Sequence, residues 1–483
     1  MDLFIDKESI HKLKILKCLD NREQKTADIT ELITAIDSSY YLTTKAIESL
    51  MIDVKTFGIS DVSIQLVNNK VTLTYNEAIK IQLIRLHYLE QSPHFHLLDS
   101  VFKHSANTLK SFASKNFISI SRTYVIKKEL EIFFEPYNVK ISANYSFSGK
   151  ETQIRMMLFY FYFSKFNSTK FPFSLSIESI AENFTNMISK RLSHEITETQ
   201  YLKLKYMSAV IFQRYRTKDY IHFEKKYMFT LTKKKSLSNY IQLFFEEYTS
   251  VPTEFLLNET LFFQSFLLAE EFIFIKKEDI YYQDSSIPLS INNLNTFFCV
   301  EISKYLDEDA LMKSMAVVKQ GLSKIHWKFL YFEPIDNFFI IDDDFILKNY
   351  PSFYHVVSSI VHSLYENYPN FDSHCKKYLV YEYTFLLIQT IPDYYKLPTL
   401  NVCVDFSSGD IYNQFIGETI RSFQALNIRI EKKVSKNTDF YLSDLYIPNL
   451  ECPYLIWTTA PTASDWEILN KELTSLGHLN KQN

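Results

Sequence analysis

Twelve histidines and five cysteines are the side chains of this sequence that could bind a metal ion or act as nucleophiles. They form no HExxH or CxxC pair, so the spacings that hold zinc are missing. His94 and His96 stand two residues apart, where side chains on a helix diverge. The run Asp342-Asp343-Asp344 points in different directions and is predicted to be a loop or a helix start. We therefore predict no metal site and no catalytic centre.

Two other histidines stand in polar segments where a phosphoryl group could regulate the protein. His194 follows Lys190 and Arg191, and His374 stands beside Cys375 and two lysines. Phosphorylation of an exposed histidine changes its charge by about two units and can bias a domain interface. Regulatory phosphorylation of His194 and His374 is one hypothesis, and an ordinary solvated histidine is the other.

Basic residues are concentrated in one part of the chain. Residues 101–235 hold 23 Lys and Arg against 10 Asp and Glu, a net charge of +13. The whole chain carries −4, so the remainder carries −17. A bound polyanion needs only a local cationic surface, so this polarisation indicates a nucleic-acid partner. Lysines and arginines that merely cover solvated helix faces are the alternative.

The composition indicates a globular protein of several domains. The 483 residues exceed one ordinary core, and 46% hydrophobic residues exclude collagen-like and broadly disordered classes. The six glycines make neither GxGxxG nor GxxxxGKS, so no cofactor is predicted. The N-terminus has no signal pattern, the most apolar run, 156–163, is too short for a bilayer, and the dispersed cysteines favour a reducing compartment. We expect a cytoplasmic protein without a membrane span.

Residues 1–76 are predicted to form a winged helix-turn-helix. Apolar spacing predicts three short helices, the second capped by Thr26 or Asp28 and the third starting at Ser38-Ser39. Alternating residues on both sides of Asn68-Asn69 predict a two-stranded wing.

The same order of elements recurs in residues 77–160. Helical patterns at 77–90, 96–102 and 108–117 precede a longer helix capped by Ser119 or Ser121. Its start holds residue types that contact phosphates and base edges, so we interpret it as the better recognition helix. The predicted inward residues are Tyr124, Val125, Leu130 and Phe133, the polar ones are Arg122, Thr123, Lys127 and Lys128, and segments 139–142 and 144–147 are the second wing.

The rest of the chain is predicted to be two helical bundles and a small α/β domain. The bundles run to about Lys276 and from about Asn292 to Ile391, with a linker over 281–289. From Leu400 the pattern becomes strand, helix, strands and helix with short turns, which is typical of a mainly parallel sheet. The fold class is thus mainly α and multidomain, with predicted boundaries 1–76, 77–160, 161–286, 287–397 and 398–483.

This order of domains resembles the Mga/AtxA family of virulence-associated transcription regulators from low-GC Gram-positive bacteria. The most specific matches are Ile120-Ser121-Arg122-Thr123-Tyr124-Val125-Ile126-Lys127-Lys128-Glu129-Leu130, which is similar to the family's recognition helix, and Gly149-Lys150-Glu151-Thr152-Gln153-Ile154-Arg155, which is similar to its Gly-x-Glu-x-x-Ile-Arg exit into the next domain.

The resemblance implies roles for the remaining domains. The bundles would be phosphotransferase-system regulation domains (PRD), partners of phosphocarrier proteins, although Asp219-Tyr220 stands where such domains often carry Gly-His, with His222 two residues later. The last domain is similar to enzyme IIB, whose phosphorylated cysteine follows the first strand. Here Cys403 falls within that strand, so the resemblance implies homodimerisation instead.

These observations predict a transcription regulator that binds double-stranded DNA, an activator in the family's pattern, with no reaction of its own. The RNA-binding antiterminators with PRD domains are the alternative, but they start with a small β-rich module, whereas residues 9–58 are helical by pattern. A phosphoryl-carrier enzyme is the third hypothesis. The predicted DNA contacts are Ser39, Tyr40, Thr43, Thr44, Lys45, Ser119, Ser121, Arg122, Thr123, Lys127, Lys128, Lys140 and Lys150.

Overall fold

The structure is a computed structural model of the chain, and it confirms a mainly helical, multidomain protein with a small C-terminal sheet. It divides into two compact units, residues 1–284 and 285–483. It describes residues 2–76, 79–192, 194–223, 229–231, 235–273, 280–282, 286–305, 308–334, 346–347, 350–390, 400–421, 428–448, 450–458 and 460–479. The predicted run Asp342-Asp343-Asp344 lies outside these residues.

The first winged helix comprises three helices and a three-stranded sheet. Asp28 caps the second helix in a capping box with Glu31, and the Ser39 hydroxyl caps the third. Asn68 and Asn69 both have positive φ, as a tight hairpin turn between right-twisted strands requires. The elements are α1 Lys7–Asp20, β1 Thr26–Asp28, α2 Ile29–Ile36, α3 Tyr40–Thr56, β2 Val62–Val67 and β3 Lys70–Tyr75, with sheet order β1-β3-β2, all antiparallel.

The second winged helix repeats the first at an offset of 80 residues. Its helices α6 and α7 begin 80 residues after α2 and α3, and Ser119 caps α7 as Ser39 caps α3. The turn residues Asp37 and Phe117 are both left-handed, with φ of 51° and 55°. The elements are α4 Ile79–Glu90, α5 Pro93–Lys103, α6 Leu109–Lys115, α7 Ile120–Phe134, β4 Lys140–Ile141 and β5 Phe147–Ser148. The second wing is therefore shorter than predicted.

The inward faces of α3 and α7, the predicted recognition helices, match as well. The equivalent buried pairs are Thr43 and Thr123, Ala46 and Ile126, Leu50 and Leu130, and Val54 and Phe134. The predicted inward face of α7 is correct at Leu130 but wrong at Tyr124 and Val125, which are exposed. The fully buried positions are Thr123, Ile126, Leu130 and Phe134, whereas Phe133 is half-buried.

Two contacts tie the winged helices together. Ile84 and Tyr88 of α4 belong to the core of the first winged helix, and Tyr88 donates a 2.6 Å hydrogen bond to Asp53 of α3. At the N-terminus, Phe4 is buried against Phe133 of α7 and Phe161 of the next helix. Residues 1–76 thus contact both α4, the first helix of the second winged helix, and α7, its last helix before the wing.

The rest of the first unit is helical, with aromatic packing around Phe184. Its ring lies against Phe244, Phe245 and Phe263, as expected if aromatic stripes are core. Residues 229–231 and 280–282 form an antiparallel strand pair in regions predicted to be helix and linker. The elements are α8 Glu151–Phe166, α9 Leu175–Ser189, α10 Glu198–Arg216, β6 Phe229–Leu231, α11 Lys235–Tyr248, α12 Thr253–Ala269 and β7 Ile280–Tyr282.

The second unit contains a helical core and a parallel sheet. Its first helix begins at Ser286, earlier than predicted, because Pro288 falls in the first turn, where its missing N–H costs nothing. The helices are α13 Ser286–Ser303, α14 Glu308–Phe332, α15 Pro351–Asn367 and α16 Lys376–Thr390. The sheet domain comprises β8 Leu400–Val404, α17 Asp410–Arg421, β9 Ile428–Glu431, β10 Phe440–Ser443, β11 Tyr454–Ile456 and α18 Ala463–Leu479, in the all-parallel order β11-β10-β8-β9. Among the described residues, no helix is long and apolar enough to cross a membrane.

Gly149, at the exit of the second wing, generates a test of this fold. Its φ is +155°, and a Cβ there would lie 2.8 Å from the carbonyl oxygen of Asn138. We expect Gly149→Ala to lower the free energy of unfolding by about 1–3 kcal/mol. The control is Gly58→Ala, which is also left-handed but has nothing within 4 Å of the added Cβ. Urea unfolding of both variants measures the difference, and an equal loss would contradict the close approach at Gly149.

Candidate nucleic-acid interface

The interface is built on the first turns of α3 and α7. In each helix a serine hydroxyl accepts the backbone N–H three residues later, Leu42 for Ser39 at 3.2 Å and Arg122 for Ser119 at 3.1 Å. The serines fix where each helix starts, and the helix N-terminus is the end that favours a phosphate. Both helices therefore present an anion-favouring end beside exposed side chains.

The structure sorts the predicted contact residues by exposure. The buried ones, Thr43 and Thr123, correct the prediction, since neither side chain reaches the surface. Thr123 instead donates to the Ser119 carbonyl oxygen at 3.1 Å. Half-buried Thr44 donates to the Tyr40 carbonyl oxygen. The exposed ones are Ser39, Tyr40, Lys45, Ser119, Ser121, Arg122, Lys128, Lys140 and Lys150.

Lys127 is a structural residue as well as a basic one. Its Nζ lies 2.7 Å from Glu131 Oε1 on the same helix, and that oxygen also accepts the Ile141 backbone N–H at 3.1 Å. Glu131 therefore joins α7 to the first strand of the wing and neutralises part of the Lys127 charge. Arg122 and Lys128 are the basic residues on α7 that the structure leaves exposed and without an ion pair among the described residues.

The reasoning from sequence missed a set of exposed apolar side chains at the same helix ends. Tyr41 is 71% exposed and Phe117, in the turn before α7, is 97% exposed. On α3 the signal was the run of consecutive apolar residues just after the capping Ser39. The full set is Tyr40, Tyr41 and Leu42 on α3, and Phe117, Ile120, Tyr124 and Val125 around α7.

Comparison with known proteins matches residues 77–163 to the family model of the Mga helix-turn-helix domain. The second winged helix is similar to the Mga helix-turn-helix domain. A curated relative is the capsule synthesis positive regulator AcpA of Bacillus anthracis, 22% identical over 146 residues. That alignment covers 30% of this chain and 30% of the relative's length. Both findings agree with the resemblance drawn from the recognition-helix sequence.

A buried ion-pair network joins the second winged helix to the helices that follow it. Arg155 and Glu259 are fully buried, and two hydrogen bonds of 2.6 and 2.9 Å connect the guanidinium to both carboxylate oxygens. Glu151 accepts from Arg155 at 2.9 Å and from Arg214 at 2.7 and 2.9 Å. Burial alone lowers the pKa of Arg155, but the two carboxylates more than offset it, so the net shift is upward.

The remaining lone pairs of Glu259 are also used. The Tyr215 hydroxyl donates to one oxygen at 2.9 Å and the Ile221 backbone N–H to the other at 2.7 Å. The Asp219 carbonyl accepts from Arg155 at 3.0 Å. The two segments that the sequence singled out, 149–155 and 214–221, therefore meet in this network, through a glutamate that the sequence gave no reason to select.

The histidines proposed for phosphorylation lie in different surroundings. His374 is exposed in the 3-10 turn before α16, and His194 is half-buried between α9 and α10. His326, which the sequence did not single out, is buried between Asn295 and Tyr383, each 2.6 Å away, and burial lowers its pKa to about 3. His326 is therefore a neutral core residue, whereas His374 is open to a protein partner.

Glu259 generates a direct test of the network. Glu259→Gln removes the bidentate carboxylate partner of buried Arg155 and leaves it a single carboxylate contact, with Glu151, so we expect the free energy of unfolding to fall by about 3–5 kcal/mol. Glu254→Gln, an exposed glutamate in the first turn of the same helix, is the control, and its effect should stay below about 0.5 kcal/mol. Urea unfolding of the full chain measures both. Equal losses would show that the network contributes no more than a surface charge.

Proposed function

We propose that the protein is a transcription regulator that binds double-stranded DNA through the first turns of α3 and α7. The observation that carries this proposal is the exposed start of α7, with Arg122 and Lys128 on the solvent side, inside residues that match the Mga helix-turn-helix domain. A helix of this kind enters the major groove with its N-terminal residues against the bases.

The proposed phosphate contacts surround that helix end. Ser119 and Ser121 lie at the helix start, Arg122 and Lys128 follow on its exposed side, and Lys140 lies on the wing. Lys150, just after the wing, caps α8 and is exposed. On α3, the proposed contacts are Ser39, Tyr40 and Lys45. Contacts to phosphates release counterions, so binding should weaken steeply as salt rises.

The architecture of the N-terminus favours DNA over the RNA-binding alternative. An antiterminator of the type considered would begin with a small β-rich module, whereas α1, α2 and α3 occupy most of residues 7–56. The match to a helix-turn-helix domain supports the same choice.

We propose activation, regulated by phosphorylation, as the finer function. The matched relative is named a positive regulator, which supports activation by analogy. Exposed His374 and half-buried His194 would accept phosphoryl groups from phosphocarrier proteins, at about two units of charge each.

The C-terminal domain is proposed to dimerise rather than to carry a phosphoryl group. Cys403 is buried within β8, and burial first, then Asp405 and Glu431, raise its pKa to about 12, so it is no nucleophile near neutral pH. In the loop after β8, the Ser407 hydroxyl and backbone N–H both bond to Asp444. This carboxylate occupies the donors that a phosphoryl group would need.

The DNA contacts are tested by Arg122→Ala combined with Lys128→Ala. Two lost phosphate contacts should weaken binding to duplex DNA and reduce the slope of log affinity against log salt by about 1.8. Lys17→Ala combined with Lys190→Ala removes the same charge from exposed positions outside the recognition helices and is the control. Fluorescence anisotropy across a salt series measures both pairs. If the two pairs behave alike, α7 does not contact DNA.

Histidine phosphorylation is tested by incubation with the general phosphotransferase components and labelled phosphoenolpyruvate. We expect label on the full chain that falls when His374 is changed to alanine, because this histidine is exposed. His355→Ala, at another exposed histidine of the same unit, should leave the label unchanged. Label that survives in both His374→Ala and His194→Ala would contradict the assignment.

A further inference from the structure

We propose that α3 and α7 recognise the methyl groups of thymines in A·T-rich DNA. The inference rests on the proposed function and names the chemistry by which the same helices choose a sequence. Its basis is the apolar surface that both helices expose at the end proposed to enter the groove.

In the first turn of α3 the exposed side chains are all apolar. Tyr40, Tyr41 and Leu42 are consecutive and each more than half exposed. A run of three exposed apolar residues costs solubility and contributes no folding energy, so it indicates a contact with a partner. The first basic residue on this helix is Lys45, after the exposed turn.

On α7 apolar side chains are also exposed at the same end, although Ser121 and Arg122 stand at the positions of Tyr41 and Leu42. Ile120 occupies the position of Tyr40 at the 80-residue offset, and Tyr124 and Val125 extend the apolar surface by one turn. Phe117 holds a left-handed backbone in the turn before the helix, with its ring in solvent. Such a conformation is costly for a bulky residue and is found where function requires it. The equivalent ends of α3 and α7 thus both expose apolar side chains, of different types.

The chemistry of the major groove indicates which group of the DNA would contact these apolar side chains. Among the base edges there, the C5-methyl of thymine is the apolar group, whereas guanine is read by bidentate arginine or lysine. The first turn of α3 offers no such cation, and α7 offers Arg122. Arg122, Lys128 and Lys45 flank the apolar side chains and match the phosphates on either side of a groove. A duplex that presents methyl groups between phosphates fits this arrangement of charge and apolar surface.

The test compares two duplexes of about 40 base pairs, roughly four helical turns, with one fixed A·T-rich sequence. One contains thymine and the other contains deoxyuridine at every thymine, which removes only the methyl groups. Each methyl group buried contributes about fourfold in affinity, so we expect the full chain to bind the thymine duplex at least about tenfold more tightly. Equal affinity for the two duplexes overturns the inference and leaves the proposed function standing. No binding to either duplex at low salt overturns the proposed function itself.

Variants separate direct contact from an effect of the methyl groups on DNA shape. The changes are Tyr41→Ala with Leu42→Ala on α3 and Tyr124→Ala with Val125→Ala on α7, all at exposed positions. Each pair should reduce the preference for thymine over deoxyuridine by about threefold or more. Ile52→Ala and Ile132→Ala, exposed apolar residues in the later turns of the same helices, should keep the full preference. A preference that survives in both double variants overturns the assignment to these side chains.

Discussion

The hydrogen-bonded ion pair between Arg155 and Glu259 is the interaction on which the arrangement of the first unit depends. Removing both charges from water is expensive, and only close bidentate geometry with every remaining oxygen satisfied offsets that cost. The structure meets this condition at distances of 2.6 and 2.9 Å, with Tyr215 and Ile221 filling the other sites on Glu259. Helices α8, α10 and α12 must therefore meet in one geometry. Because α8 directly follows the second wing, the network also ties the bundle to the second winged helix.

The two winged helices show how one scaffold supports two surfaces. Their caps, turn conformations and buried rows coincide at an offset of 80 residues, so the cores require the same residue types. Their exposed faces share no such constraint. Leu42 corresponds to Arg122 and Glu48 to Lys128, which makes the second helix the more cationic. Under the proposed function, α7 would supply most of the electrostatic affinity and α3 mainly apolar contact.

Local chemistry allowed much of this fold to be predicted from the sequence. The sequence placed the helix starts at Ser38-Ser39 and at Ser119 or Ser121, because a serine before an apolar period satisfies the first free N–H groups, and the structure selects Ser39 and Ser119. The asparagine pair predicted the turn of the first wing. The inward face of α7 was predicted wrongly, because Tyr124 and Val125 fit an apolar row almost as well as Thr123 and Ile126. The Arg155–Glu259 pair could not be predicted, since the two residues stand 104 positions apart and nothing local marks Glu259 as buried. Thr43 and Thr123 were predicted to contact DNA from their residue type alone. Residue type does not distinguish a buried position in the first helical turn from an exposed one.

The central claim is that the two helix ends form a DNA-binding surface, and one measurement tests it most directly. It is the affinity of the full, unmodified chain for random-sequence duplex DNA, measured by anisotropy at increasing salt. The account predicts binding at low salt and a linear fall of log affinity with log salt, with a slope that reports several phosphate contacts. Absence of binding at the lowest salt, or an affinity that does not change with salt, would contradict it.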